Sequence, residues 1–530
     1  MISISILLSG AFASLFAYFV IWPVVVYFLD PLDLRKYPSP SPLASIYPLW
    51  LVYETWMERR SATVYEAHQR LGDIIRVGPD QILFNKPQAI SDIYGHLAVS
   101  KVSKDSGFYD KTAGDMRDIV NERDRAEHSR KRRYMANSFA LKTVVDMEPV
   151  ITTNAQNLLA RLDSYCRNPP TGASTHFNIR MWFNYFTLDV IGDMAFGLPM
   201  GFLKAGTDTK TAQTQDGKIY EVPSTIHALQ QGVRYTITTA QILNLEIMRA
   251  IKRLIRCNAF LRRVSGAQSA EDFENVCIHQ LRSRLAKGIP ERESRDFVDY
   301  VLTGKEGAPR ALPFRELVAE AQVMMNAGSD TTAAAITSTM YHLLSNPECL
   351  AKLRQELETK ISPEDLTDIV PYDLVRELPY LRACIDETLR LRPPIAYPLQ
   401  RRVYSPDGAT IAGHHIKTGT VVAVPTFTIH RKADLFPQPE RFNPDRWLNK
   451  DDEEQMHNLR SYVIPFSMGS RACIGRHIAI VELQILVSSL IRRYNMELEH
   501  EGQELEIHER FNSNPGPMPI RIQRRAHEVV

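Results

Sequence analysis

The chain has 530 residues, 44% of them hydrophobic and 23% charged, and its 63 Lys and Arg nearly balance 61 Asp and Glu for a formal net charge of +2. This is ordinary globular composition, long enough for a sizeable core, and it gives no reason to invoke nucleic acid as a partner. Cys166, Cys257, Cys277, Cys349, Cys384 and Cys473 are scattered without C-x-x-C spacing, which argues against a disulfide scaffold or zinc site and for a reducing compartment.

Residues 2–29 carry no charge and are rich in Ile, Leu, Phe and Val, enough to cross a hydrocarbon core of about 30 Å as a helix. Residues 1–30 are therefore expected to form a transmembrane anchor kinked at Pro23. A cleaved signal peptide is disfavoured, because no Lys or Arg precedes the run and the run exceeds an ordinary h-region. Arg35 and Lys36 follow the span, which puts the bulk of the chain in the cytosol and fits the endoplasmic-reticulum membrane. Residues 31–50 hold spaced prolines and read as a stiff, extended hinge; residues 51–530 read as one catalytic domain.

Residues 73–84 (DIIRVGPDQILF) alternate apolar and polar positions around Gly78-Pro79-Asp80, predicting two short strands and a tight turn. Residues 121–139 are densely basic, and a solvated helix face or membrane-surface patch accounts for most of that charge. Residues 144–391 show helical periodicity with few breakers, apart from 201–223, which read as a flexible loop. Residues 409–430 are β-rich and punctuated by glycine. The fold class is mainly α with small β-sheets, without internal repeats.

Three patterns carry chemistry. In residues 319–344 (AEAQVMMNAGSDTTAAAITSTMYHLL), Asp330 and Thr331 interrupt an apolar helix. Such groups persist when they have partners or a task, and hydroxyls bonding back to earlier carbonyls can open a helix. A helix start at Ser329 is the bland alternative, opposed by the apolar run on both sides. In residues 378–394, Glu387 and Arg390 share one helix face at i, i+3. Finally, Phe466-Ser-Met-Gly469-Ser-Arg471-Ala-Cys473-Ile-Gly475-Arg476 sets a cysteine just before a strongly apolar helical run. Unpaired N–H groups and the positive helix end there favour a thiolate and temper its donation to a metal. Gly469 and Gly475 let the chain bend sharply and approach a flat macrocycle, while Arg471 could reach a macrocycle carboxylate. The other five cysteines read as inert.

Residues 466–475 match F-x-x-G-x-R-x-C-x-G, the haem-binding signature of cytochromes P-450, at every specified position, and from Arg35 to the C-terminus the chain resembles that superfamily. The resemblance implies the cytochrome P-450 fold and haem b with Cys473 as axial thiolate, set among Phe466, Gly469, Arg471 and Gly475. It makes 319–344 the distal helix, with Thr331 steadying dioxygen and Asp330 relaying protons from solvent. Glu387 and Arg390 become the E-x-x-R pair, completed by Arg441 of Pro439-Glu440-Arg441-Phe442 in a structural role. His128-x-x-x-Arg132 occupies the Trp-x-x-x-Arg pattern with His in place of Trp, and Arg401 resembles the propionate-binding arginine, with Arg402 as competitor. A separate NADPH-cytochrome P-450 reductase is implied as electron donor, with cytochrome b5 as a further one, docking on a basic face.

Three stretches, RDRAEHSRKRR, MWFNYFTLDVIGDMAFG and ELPYLRACIDETLRLRPP, resemble the filamentous-fungal, benzoate 4-monooxygenase-like branch, which spans aromatic-acid hydroxylases and tailoring oxidases of secondary metabolism. The expected function is oxygen insertion into a hydrophobic organic substrate. Pocket candidates are residues 102–116, 226–243, 325–327 and 395–399. Tyr397 stands where smaller residues are usual in benzoate hydroxylases, which favours a tailoring oxidase over a benzoate-type ring hydroxylase. A reductase-independent haem-thiolate isomerase or dehydratase, and a non-catalytic haem sensor or carrier, are both disfavoured by the Asp330-Thr331 pair.

Overall fold

A computed structural model describes residues 13–114, 116–167, 177–242, 245–288, 295–303, 312–362, 368–448 and 453–525. Ile74–Arg76 (β1) and Gln81–Phe84 (β2) form the expected antiparallel pair, Ile74 opposite Phe84. Val102–Lys104 (β3) follows. Arg125–Met135 (α1) is capped by Asp124, whose carboxylate accepts from Glu127 N at 2.8 Å. Then come Ile179–Phe196 (α2), Thr225–Ala240 (α3), Ala267–Ala286 (α4), Phe314–Ser345 (α5) and Pro379–Leu391 (α6). Arg401–Val403 (β4) and Val421–Ala423 (β5) precede Arg476–Arg493 (α7), and Ile507–Glu509 (β6) pairs with Ser513–Pro515 (β7) in a late hairpin. The largest sheet has the order β1-β2-β5-β4-β3, with β5 parallel to β2. The molecule is mainly helical with small sheets, as the periodicity predicts.

Apolar side chains surround most of α2 and α7, and helices of that kind have no solvent face to offer. They pack on α5, which therefore crosses the core. Gly328 marks the α2 crossing: a Cβ there would sit 2.7 Å from Ile191 Cγ1, so only glycine allows the approach. Helix α5 runs unbroken for 32 residues, and Ser329 lies in its middle rather than at a cap.

Three expectations need correction or limits. Residues 201–223 are not a flexible loop: they hold the short helix Phe202–Ala205 and an antiparallel hairpin, Lys210–Gln213 with Ile219–Val222, turned at Asp216-Gly217. The prolines of 31–50 do not hold that segment extended. It folds against the sheet, with Leu34, Tyr37 and Ala44 buried, a 3₁₀ turn at Pro42–Ser45, and Pro38 O accepting from Arg76 N at 2.8 Å. Among the described residues no helix is long and apolar enough to cross a membrane, and the first 12 residues of the expected anchor lie outside the described residues. The described remainder is helical throughout, residues 13–16 leading into the π-helical turn Ala17–Ile21 and then Trp22–Leu29, with Pro23 where its missing N–H is accommodated and with Phe28 and Leu29 exposed.

Candidate active site

The loop ending at Cys473 is shaped by its own backbone. Cys473 N donates to Phe466 O at 2.8 Å, and Gly469 turns the chain at φ +70°. A Cβ on Gly469 would lie 2.2 Å from Tyr94 O. Gly469 thus gives the sharp bend expected of it and also lets the loop pass close to the Tyr94 backbone. Gly475 precedes α7 and gives the Cys473 sulfur an N–H hydrogen bond. Burial raises the Cys473 thiol above its ordinary value, opposed by that bond and by the Arg132 and Arg476 guanidiniums. The side chain is nonetheless open on one side, and that side faces an internal cavity.

The cavity measures about 320 Å³ and separates the cysteine loop from α5. Phe466, Cys473 and Ile474 form one wall; Ala327, Gly328, Thr331 and Ala335 form the other. Lys104, His128, Arg132, Arg401 and Arg471 gather on its lining. Among the described residues none of these five pairs with a carboxylate. Arg132 donates to Ala472 O at 2.8 Å, Arg471 to Glu122 O at 2.8 Å and Arg123 O at 3.1 Å, Arg401 to Gln400 O at 3.0 Å and Tyr109 Oη at 3.3 Å, and Lys104 to Val120 O. Burial pushes Arg471 down to about 10, and burial with four neighbouring cations pushes His128 down to about 3. Charges that are buried, as Lys104 and Arg401 are, or half-buried, as Arg132 and Arg471 are, and paired only with neutral groups are costly, so the cavity suits an anionic guest.

The doubled arginine is resolved by strand geometry. Successive side chains on β4 point to opposite faces. Arg401 turns to the cavity, whereas Arg402 is held by Asp105 at 2.7 Å and Asp80 at 2.9 Å.

A flat dianion with apolar faces and a metal that takes one sulfur ligand fits this site. Among the described residues no group of three His, Cys, Asp or Glu could hold a bare metal ion; a metal bound through Cys473 would need its other ligands from a macrocycle. Haem would fit these residues: Cys473 would supply its sulfur ligand and Arg132, Arg401, Arg471 and His128 would meet its carboxylates, with helix α5 across the cavity from the cysteine loop. On that face Thr331 Oγ1 donates to Ala327 O at 2.6 Å and lines the cavity. Asp330 is buried and turned elsewhere, accepting from Gln230 Nε2 at 3.1 Å, Asn512 Nδ2 at 3.0 Å and Asn514 Nδ2.

Residues 38–521 match the family model for cytochrome P450. The chain is a cytochrome P450. Its relatives include a benzoate 4-monooxygenase (bphA) of Aspergillus niger, 32% identical over 96% of this chain and 97% of that protein. Cytochrome P450 monooxygenases of Emericella nidulans (cicH; 29% identical, 96% and 97% covered) and Penicillium oxalicum (poxM; 29%, 92% and 89%) are also similar. The P450 is accordingly a monooxygenase, and haem is the cofactor of its family.

Behind the cysteine loop, Glu387 is fully buried and saturated. It accepts from Arg390 Nε at 2.8 Å and Nη2 at 2.9 Å, Arg446 Nε at 2.9 Å, Asn443 N at 3.0 Å and Trp447 Nε1 at 3.0 Å. The third partner is therefore Arg446, not Arg441. Arg441 is exposed; its side chain reaches Gln438, and it meets Arg390 only through its carbonyl. Pro-acid-Arg-aromatic occurs twice in succession, at Pro439-Glu440-Arg441-Phe442 and Pro444-Asp445-Arg446-Trp447, and the second copy faces Glu387. The indole N–H of Trp447, which needs a buried acceptor, is the signal that distinguishes the copies.

Sequence reasoning also missed His430. Its Nε2 accepts from Ile464 N at 2.8 Å and its Nδ1 lies 3.2 Å from Arg390 O, so the proton sits on Nδ1 and the neutral ring ties α6 to the start of the cysteine loop. Burial, then the Arg390 charge, pushes His430 down to about 3.

A second cavity of about 440 Å³ shares Tyr109, Val120, Val323, Asn326 and Phe511 with the first. All four expected pocket segments contribute to one cavity or the other, through Phe108, Val233, Ala327 and Ile395. Tyr397 does not line either. It is buried behind the wall, stacked on Phe108 at 5.6 Å, with Arg60 4.1 Å over its ring and its hydroxyl bonded to Gln241. The hairpin tip at Phe511 carried no legible signal, because its role comes from insertion between the two cavities.

Proposed function

We propose that this P450 is a tailoring oxidase that inserts oxygen into a hydrophobic skeleton larger than a single aromatic ring. The observation that carries this reading is the second cavity of about 440 Å³ adjoining the Thr331 face, since about 150 Å³ suffices for benzene. Bound in its site, haem supplies oxygen activation and transfer. Cys473 supplies the thiolate, tempered by the Gly475 N–H; Arg132, Arg401, Arg471 and His128 hold the carboxylates. Asp330 passes protons toward Thr331 Oγ1, and Phe108, Val233 and Phe511 orient one C–H bond and exclude water.

Electrons come from an NADPH-cytochrome P450 reductase, with cytochrome b5 as a further donor. The uncharged N-terminal run anchors the enzyme in the endoplasmic-reticulum membrane, its catalytic domain in the cytosol. Support for the anchor is the composition of residues 2–29 and the exposed aromatic and aliphatic side chains of Trp22–Leu29.

Benzoate-type hydroxylation is the second reading. It is favoured by similarity to the Aspergillus niger enzyme and by Lys252, Arg256 and Arg315 on the larger cavity, which offer a carboxylate partner.

The test has two stages. The reduced, carbon monoxide-bound difference spectrum is recorded for wild type and Cys473→Ala, with the thiolate band expected only in wild type. Spin-state titration then compares benzoate with polyketide, terpenoid and alkaloid skeletons of two or more fused rings. A shift with the fused-ring panel alone supports the tailoring reading; a shift with benzoate alone overturns it.

A further inference from the structure

Asp330 is fastened by amides from two segments far away in sequence. Gln230 comes from α3, and Asn512 and Asn514 come from the hairpin of β6 and β7. Both carboxylate oxygens are engaged, and neither is bonded to Thr331, whose hydroxyl is directed to Ala327 O. Between the two asparagine side chains and Arg510, Phe511 adopts φ +98°, a costly conformation for a bulky residue that persists only where its surroundings impose it.

That conformation places Phe511 on the lining of both cavities. The hairpin tip is held further by Arg510, which donates from Nη1 to Gln230 Oε1 at 2.8 Å and from Nε to Glu58 Oε1 at 2.9 Å. The carboxylate of the distal helix and the residue that meets substrate thus belong to one hydrogen-bonded unit.

We infer that Gln230, Asn512 and Asn514 are positioning residues that hold the Asp330 carboxylate away from Thr331, so that displacement of the Phe511 tip by a bound substrate frees it for proton delivery. A carboxylate with both oxygens bonded must give up at least one amide to turn toward Thr331. The amides on Asn512 and Asn514 move with the tip that substrate would displace. This rests on the reading of Asp330 as the proton donor, and the experiment separates the two.

Gln230→Leu, Asn514→Leu and Asp330→Asn, singly and as Asn514→Leu/Asp330→Asn, are prepared as haem-loaded full chains. Hydrogen–deuterium exchange is followed over residues 507–515 in the resting protein. Substrate-free NADPH consumption and peroxide release are measured with P450 reductase in H₂O and D₂O. Faster exchange of 507–515 in Asp330→Asn is expected; unchanged exchange overturns the clamp. Peroxide release is expected to rise about tenfold in Asn514→Leu and Gln230→Leu, the rate equivalent of one hydrogen bond to a charged group. The H₂O/D₂O ratio should change with it, and the rise should vanish when Asp330→Asn is added. A rise that survives Asp330→Asn reports general loosening and overturns the inference. Substrate-free, Asp330→Asn alone should stay near wild type, because the clamped carboxylate is idle there; if it also leaves rate and isotope ratio at wild-type values with a spin-shifting fused-ring ligand bound, the donor role itself fails.

Discussion

Two sets of charges flank the Cys473 loop and are built on opposite rules. Behind it, Glu387 accepts five hydrogen bonds from Arg390, Arg446, Asn443 and Trp447. In front of it, Arg132, Arg401 and Arg471 are given only carbonyl and hydroxyl partners. A buried charge closed within the protein belongs to the fold, and removing one member strands the others. A buried charge left without a counter-charge belongs to a guest, and the apoprotein carries its cost.

The largest effect that tests this contrast is at Glu387. Glu387→Ala should lose about 3–5 kcal/mol and fail to retain haem, because two guanidiniums and an indole N–H lose their acceptor at once. Haem content per chain and thermal unfolding measure both losses, and Arg446→Ala should follow it closely. Arg401→Leu should behave in the opposite way. Haem affinity should fall about 10- to 100-fold, from loss of one hydrogen bond to a charged group, while the apoprotein melts no lower than wild type. Haem transfer to apomyoglobin and apoprotein calorimetry separate these outcomes.

His430 sharpens the comparison through pH. Its folded value of about 3 lies below the ordinary 6.5, so between those values the unfolded chain binds a proton that the folded one does not. Stability therefore falls as pH drops below 6.5, by about 1.4 kcal/mol per unit from this group. In His430→Gln, whose amide oxygen can still accept from Ile464 N, the slope of denaturant stability against pH should flatten by that amount. The smallest effect belongs to Arg441→Ala. As an exposed side chain outside the Glu387 network, it should change stability by no more than about 0.5 kcal/mol and leave haem content intact. A loss comparable to Arg446→Ala would return Arg441 to the network.

Legibility follows range. Glu387 and Arg390, three residues apart on one helix, are readable because helical spacing alone makes them neighbours. Their third partner was misplaced by five residues, since two Pro-acid-Arg-aromatic copies satisfy the same pattern and only the path of the chain around α6 presents one of them. The hairpin within 201–223 was missed for another reason: its strands, KTAQ and IYEV, are short and half-exposed, so hydrophobic alternation is weak and Asp216-Gly217 was its clearest sign.

By itself the sequence determined the family, the position of Cys473 at the head of α7, the acid–alcohol pair within α5 and the mainly helical class. Each of these is a local pattern whose chemistry depends on neighbours a few residues away. Tertiary structure alone decided that Arg401 faces the haem cavity while Arg402 meets Asp80 and Asp105, that Arg446 closes on Glu387, and that Asp330 is held by amides from positions 230, 512 and 514. A buried charge takes whichever partner packing brings within about 3 Å, and packing is a property of the whole chain.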